Sequence, residues 1–91
     1  MKTSYLVCYD ISEERRLNKV LRFMKTKGLH IQYSVFYCVL TWEELLELKD
    51  KLKKLIHPKY DDVRIYPLPK NSLVAVLGVG DRMPDGVEIF I

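Results

Sequence analysis

The chain contains few residues of the kinds that bind zinc, cross a membrane or form flexible linkers. Its 91 residues include two cysteines, four glycines and four prolines. It has no apolar run of about 18 residues, which a membrane-spanning helix needs, and no apolar N-terminal segment with a small-residue cleavage site, which a signal peptide needs. We therefore expect a cytoplasmic protein that does not associate with a membrane.

The two cysteines also limit the choice of function. Cys8 and Cys38 each lie inside an apolar run, and neither belongs to a Cys-x-x-Cys or Cys/His pattern. This favours buried, reduced thiols over zinc ligands or a disulfide. There is no glycine-rich phosphate-binding loop, repeat or low-complexity tract. Because the chain is short and 48% hydrophobic, we predict a single domain over residues 1–91.

The first apolar stretch ends in a charged residue. Residues 5–9 read YLVCY, a composition typical of a buried strand, and Asp10 follows directly. When helices flank a sheet, ligands often bind at the carboxyl ends of its central strands. Aspartate is also common in turns and at helix N-termini. The residues alone leave both roles open for Asp10.

A basic segment follows and is predicted to be helical. Ser12 is a candidate N-cap, an apolar face recurs at helical spacing, and Gly28 marks the end. Residues 13–28 carry six basic and two acidic side chains, whereas the net charge of the whole chain is +3. The basic stripe consists of Arg15, Arg16, Lys19 and Arg22. It is interpreted either as an ordinary solvated surface or as a site for nucleic-acid phosphates.

The rest of the chain predicts two more kinds of element. Residues 29–40 are aromatic and β-branched, so they are extended, but Ser34 leaves open whether they form one bent strand or two. Thr41 and Glu44 form a capping box at the start of a second helix, which His57-Pro58 closes. Further strands are predicted at residues 63–68, 73–77 and 87–91.

This order is the βαββαβ pattern of a ferredoxin-like α+β fold with extra C-terminal strands, in which both helices cover one face of the sheet. The strand sequences are apolar at both alternating sets of positions, so the other face also needs cover. A chain of this size has no third layer for that purpose. We therefore predict a homodimer packed through the sheet faces, with residues 87–91 able to cross onto the second copy.

Five segments, taken in order and spacing, make the chain resemble the CRISPR-associated protein 2 family, the small subunit of the spacer-acquisition machinery. They are Tyr9-Asp10, residues 16–20 (RLNKV), Gly28, residues 32–36 (QYSVF) and residues 63–68 (VRIYPL). The resemblance implies a dimer in which Asp10 of each chain faces its mate and shares one divalent metal, Mg²⁺ or Mn²⁺. Tyr9, Ser34 and Phe36 map onto the family's supporting residues, and Arg16 and Lys19 onto its basic helix positions.

The resemblance leaves several functions open. The first is a metal-dependent endonuclease that cleaves RNA or duplex DNA, with Asp10 as catalytic metal ligand. The second is a non-catalytic scaffold that bridges dimers of the integrase subunit, CRISPR-associated protein 1, with phosphates bound by the basic stripe. An RNA-cleaving toxin is a third hypothesis. Acid-base chemistry by His30 and His57 is an alternative mechanism, and Asp61 and Asp62 are interpreted as turn residues rather than metal ligands.

Overall fold

The computed structural model describes residues 1–70, in which four strands and two helices follow one another as the sequence pattern predicts. In chain order they are β1 (Thr3–Asp10), α1 (Glu14–Lys25), β2 (Leu29–Gln32), β3 (Val35–Leu40), α2 (Trp42–Leu55) and β4 (Asp62–Leu68). The strands form one antiparallel sheet in the order β2-β3-β1-β4. The ferredoxin-like α+β prediction is confirmed, and the segment 29–40 is two strands. The strands predicted at 73–77 and 87–91 lie outside the described residues.

One face of the sheet packs against both helices. Side chains of β1 alternate between the two faces, and Tyr5, Val7 and Tyr9 point to the helices and are buried. Phe36 and Cys38 of β3 join them on this side and are fully buried. The core side chains of the helices are Val20, Met24, Leu45, Leu48 and Leu52. Within residues 1–70, no helix is long and apolar enough to cross a membrane.

The opposite face, here called the open face, is formed by the alternate residues of the same strands. On β1 it consists of Ser4, Leu6, Cys8 and Asp10, and the residues paired with them on β3 and β4 lie on the same side. Leu6, for example, lies between Tyr37 on β3 and Tyr66 on β4. Neither described helix packs on this face, where Val39 is 44% and Tyr66 47% exposed. On β1 and β3, which the prediction concerned, the open face is apolar except at Ser4 and Asp10.

The start of α1 differs from the prediction. Glu13 is the N-cap, and its carboxylate accepts hydrogen bonds from the backbone N–H groups of Arg15 and Arg16 at 2.9 and 3.0 Å. These bonds lower the pKa of Glu13. Ser12, the predicted cap, instead donates its hydroxyl to Asp61 at 3.0 Å. A carboxylate suits this position because the helix N-terminus carries partial positive charge.

Gly28 lies between the end of α1 and the start of β2, at a point where the chain approaches β3 closely. The helix ends at Lys25, and the Gly28 N–H still donates to the Met24 carbonyl at 3.0 Å. A Cβ at Gly28 would lie 2.4 Å from Cys38 Sγ and 2.6 Å from the Tyr37 carbonyl oxygen. Lack of a side chain, rather than an unusual backbone angle, explains the glycine.

The capping box that was predicted for α2 is present. Thr41 N–H donates to the Glu44 carboxylate at 2.8 Å, and Glu44 N–H donates to the Thr41 hydroxyl at 3.1 Å. The helix ends at Leu55, just before the predicted His57-Pro58 break. Its outer charges include the predicted pair of Lys54 with Asp50 at 3.1 Å. This helix has the balanced, solvated exterior that the sequence indicates.

Candidate active site at the end of β1

Asp10 is the last residue of β1, and its side chain is exposed on the open face. It makes no hydrogen bond or ion pair with any other residue of the described part of the chain. Its neighbour across the β1/β4 ladder is Asp62, so a second carboxylate lies on the same face of the adjacent strand. The end of β1 thus presents a carboxylate that is free to bind a ligand.

Tyr9, Ser34 and Phe36 fix the position of this strand end. The Tyr9 N–H donates to the Ser34 carbonyl at 3.1 Å, which ties β1 to the turn between β2 and β3. The rings of Tyr9 and Phe36 stack with their centroids 6.2 Å apart, and burial raises the pKa of Tyr9. Both rings lie on the helix side of the sheet, whereas Asp10 lies on the open face. The geometry therefore suits a supporting role and not contact with what Asp10 binds.

Asp61 organises the loop that follows Asp10. Its carboxylate is fully buried and accepts hydrogen bonds from Ser12 N–H at 3.0 Å, Arg16 Nε at 2.7 Å and His57 N–H at 2.7 Å. The Arg16 guanidinium, followed by these backbone donors, holds the pKa of Asp61 well below its usual range. The contacts join the β1/α1 loop to the loop before β4.

This role of Asp61 was missed, because the sequence marks it only as one of two aspartates beside a proline turn. Its importance depends on the antiparallel pairing of β1 with β4, which brings residue 61 next to residues 12 and 16. No sequence signal points to this pairing of Arg16 with Asp61. Asp62, in contrast, is exposed and belongs to β4 rather than to a turn.

The guanidinium of Arg16 is hydrogen-bonded within this cluster. Besides its bonds to Asp61, its Nη2 donates to the Ser12 hydroxyl at 3.2 Å, and Nη1 lies 3.8 Å from the Glu13 carboxylate. The Asp61 carboxylate raises the pKa of Arg16. The sequence grouped Arg16 with the phosphate-binding residues, but its charge is offset by two carboxylates of its own chain. Its structural contacts support the loop after Asp10.

The other members of the basic stripe, Arg15, Lys19 and Arg22, are exposed on α1. Because α1 packs on the helix side of the sheet, this surface and the Asp10 carboxylate lie on opposite sides of it. The first turn of α1, which carries Arg15, follows the loop after Asp10 in the chain. The stripe and Asp10 therefore form two surfaces rather than one pocket.

The two histidines are not brought together within one chain. The His30 ring stacks on Phe36 with centroids 4.5 Å apart, and its Nε2 contacts the Tyr33 carbonyl. His57 precedes β4, and its Nδ1 accepts a hydrogen bond from the Lys59 N–H at 3.2 Å. Since β2 and β4 are the two edges of the described sheet, a single chain does not support the alternative mechanism in which His30 and His57 act as an acid-base pair.

The donor set at Asp10 fits part of a magnesium site. Within residues 1–70 there is no group of three or more histidine, cysteine or acidic side chains that could hold a metal ion. Mg²⁺ usually binds through one or two carboxylates, and waters and phosphate oxygens complete its coordination. Asp10 is exposed and has no partner among residues 1–70, so it can supply one such ligand. The other ligands would come from outside those residues, from a second chain or from a nucleic-acid phosphate.

The cysteines are free, as expected. Cys38 is buried on the helix side, and its burial raises its pKa to about 11. Cys8 lies on the open face, so the sheet itself separates the two sulfur atoms.

Comparison with known proteins identifies the family. Residues 3–76 match the family described as CRISPR associated protein Cas2. A relative from Thermodesulfovibrio yellowstonii, named CRISPR-associated endoribonuclease Cas2 2, is 74% identical over 90 residues and covers 99% of both chains. A relative from Thermus thermophilus, named CRISPR-associated endonuclease Cas2 2, is 38% identical over 79 residues, which cover 87% of this chain and 86% of the relative.

Solved structures agree with this assignment. A hypothetical protein from Thermus thermophilus superposes with a TM-score of 0.82 at 38% identity, over 88% of this chain and 95% of the other. Streptococcus pyogenes Cas2 superposes with a TM-score of 0.69 at 36% identity, over 75% of this chain and 88% of the other. The sequence match, the strand order and the position of Asp10 lead to one assignment: the chain belongs to the CRISPR-associated Cas2 family.

Proposed function

We propose that this protein is a metal-dependent endonuclease that hydrolyses phosphodiester bonds of RNA or duplex DNA at the spacer-acquisition stage of CRISPR antiviral defence, in the cytoplasm. The observation that carries the proposal is Asp10, an exposed carboxylate at the end of a central strand that has no hydrogen-bond or ion-pair partner among residues 1–70. The names of its relatives, endoribonuclease and endonuclease, support the same chemistry. Family membership favours this function over the toxin hypothesis.

The proposed active unit is a homodimer joined through the open faces. Residues 1–70 of one chain contain no group of three or more side chains that could hold a divalent ion, and the open face is apolar around Leu6, Tyr37 and Tyr66. A second copy would cover that face and bring a second Asp10. The two Asp10 carboxylates would then hold Mg²⁺ or Mn²⁺, which when bound polarises a phosphate and activates a water molecule. Tyr9 and Ser34 keep the strand end in register, and Asp61 holds the following loop.

A second function is favoured by the separation between the two surfaces. Arg15, Lys19 and Arg22 lie on the opposite side of the sheet from Asp10, where they can bind phosphates without contributing to cleavage. This arrangement suits a scaffold that holds duplex DNA between dimers of the integrase subunit, CRISPR-associated protein 1. The two functions use different surfaces, so one protein can perform both.

A cleavage assay tests the first function. Single-stranded RNA and duplex DNA are incubated with the protein in Mg²⁺, Mn²⁺ or EDTA, and wild type is compared with Asp10→Ala and with Asp50→Ala, a matched control on the exposed side of α2. We expect Asp10→Ala and EDTA to abolish cleavage while the control cleaves normally. Activity that survives either treatment would contradict the role of Asp10.

A binding assay tests the second function. Arg15→Glu combined with Lys19→Glu should weaken duplex binding and reduce its dependence on salt, because each phosphate contact releases counterions. Lys51→Glu combined with Lys53→Glu changes the charge of α2 by the same amount and is the control. Equal losses in the two double variants would show that net charge, and not the basic stripe, governs binding.

A further inference from the structure

The segment VRIYPL was one of the sequence signals of the family, yet neither proposed function assigns a role to its arginine. Arg64 lies on β4, directly opposite Cys8 of β1, two residues from Asp62 and thus close to Asp10. Its side chain is on the open face and is 66% exposed in the single chain. Because the proposed dimer joins the open faces, binding of a ligand there requires that Arg64, like Asp10, stays accessible at the rim of that interface. A cation therefore lies on the same face as the candidate catalytic carboxylate. The pair Cys8–Arg64 is two residues along the β1/β4 ladder from the pair Asp10–Asp62.

The position of Arg64 matters because of the other charges on the open face. The side chains of its strand residues that carry charge within residues 1–70 are Asp10, Asp62 and Arg64. A nucleic-acid phosphate that approaches Asp10 meets two carboxylates, and the basic stripe on α1 is on the other side of the sheet. Arg64 is the cation of the described open face that can attract that phosphate.

Its neighbours hold Arg64 in place. Nε donates to the Asp62 carboxylate at 2.9 Å, and the Tyr66 hydroxyl is a second neighbour. Of the five N–H donors of the guanidinium, these two neighbours leave several on the terminal nitrogens for another ligand. The Tyr66 hydroxyl and the Asp62 carboxylate raise the pKa of Arg64. Burial raises the pKa of the Cys8 thiol, and the charge of Arg64 opposes that rise, so the guanidinium lies close to β1.

We propose that Arg64 is a phosphate-binding residue of the Asp10 site and that it binds the phosphodiester backbone of the nucleic acid beside the carboxylate. This inference rests on the proposed function for the identity of the ligand. The guanidinium matches a phosphate with two parallel N–H donors, which a lysine ammonium does not reproduce. Asp62 acts as a positioning residue because it fixes the side of the guanidinium that carries Nε.

The test measures binding in EDTA, so that it depends on neither metal nor cleavage. Dissociation constants for a duplex DNA and a single-stranded RNA are measured over a range of salt for wild type, Arg64→Gln, Arg64→Lys and Lys51→Gln. Arg64→Gln should weaken binding roughly tenfold, the effect of one charge-assisted hydrogen bond, and lower the salt slope by about one. Arg64→Lys should restore the slope but only part of the affinity.

Lys51→Gln removes one charge from the exposed side of α2 and is the matched control, with an expected loss below about twofold. Equal losses for Arg64→Gln and Lys51→Gln would overturn the proposal, as would a wild type that binds neither nucleic acid. Sedimentation of each variant is compared at the same concentration, and a loss of affinity that accompanies a loss of self-association also counts against it.

The result is separable from the nuclease proposal. If the wild type binds nucleic acid but does not cleave it, the nuclease function is overturned. The comparison between Arg64→Gln and Lys51→Gln then still tests whether Arg64 binds phosphate. A wild type that cleaves, with Arg64→Gln binding as tightly as the control, overturns the role of Arg64 alone.

Discussion

Replacing Asp61 by asparagine tests the cluster that holds the loop after Asp10. The substitution keeps the shape of the side chain but turns one carboxylate oxygen into an N–H₂ group. Oδ1 accepts from Ser12 and from Arg16 Nη2, whereas Oδ2 accepts from Arg16 Nε and the His57 N–H. In either orientation the amide directs its own hydrogens at donors, so one of the two groups loses its acceptor.

The size of the effect follows from these contacts. A hydrogen bond to a charged group contributes about 1.5–3 kcal/mol, and removing one member of a buried ion pair costs about 3–5 kcal/mol. The Asp61 carboxylate is fully buried, but the Arg16 side chain is 26% exposed and can recover part of its hydration. We therefore expect the free energy of unfolding to fall by about 2–4 kcal/mol. In a domain of this size that corresponds to about 10–25 °C in Tm.

The pH dependence gives the prediction a second test. The pKa of Asp61 is lowered in the folded state, so its carboxylate stabilises the fold at pH values above the pKa of an unfolded aspartate, about 3.9. That contribution decreases as the pH falls below about 4 towards the lower folded pKa. The difference in unfolding free energy between wild type and Asp61→Asn should thus be constant from pH 7 to 5 and shrink towards pH 3.

Urea unfolding at a fixed protein concentration, followed by circular dichroism, measures both effects. Asp50→Asn is the control, because its pair with Lys54 is exposed and should contribute less than about 1 kcal/mol. A loss for Asp61→Asn no larger than that of the control would refute the reasoning. A difference that grows as the pH falls would refute the assignment of the lowered pKa.

Two further changes test the packing of the two sheet faces. Gly28→Ala should reduce the free energy of unfolding by about 1–3 kcal/mol. Adding Cys38→Ala should restore only part of that loss, since the contact with the Tyr37 carbonyl remains. Thermal unfolding measures both variants, and full recovery in the double variant would contradict the role of the Tyr37 contact. Leu6→Lys places a charge at the centre of the open face and should convert the proposed dimer into a folded monomer in sedimentation experiments, whereas an unchanged dimer would show that the interface lies elsewhere.

The elements of the fold were predictable because each has a local signal. The Thr41–Glu44 capping box marks the start of α2, and the aromatic and β-branched composition of residues 29–40 identifies extended chain. The number of strands in that segment was not predictable, because the Tyr33-Ser34 turn contains none of the residues that favour tight hairpins. The N-cap of α1 was misplaced by one residue, since Ser12 and Glu13 can both cap a helix and only the tertiary contact of Ser12 with Asp61 decides between them.

The site was harder to predict than the fold, because it depends on which face each side chain occupies. Asp10 and the basic stripe are close in sequence, but closeness along the chain does not decide whether they share a surface. The two-residue period of β1 decides this, because Tyr9 points to the helices and Asp10 must point away from them. Arg64 reaches the face of Asp10 through the register of β4, which the sequence does not specify. Charges that are distant along the chain therefore share the candidate site, while charges that are near it along the chain lie on the other side of the sheet.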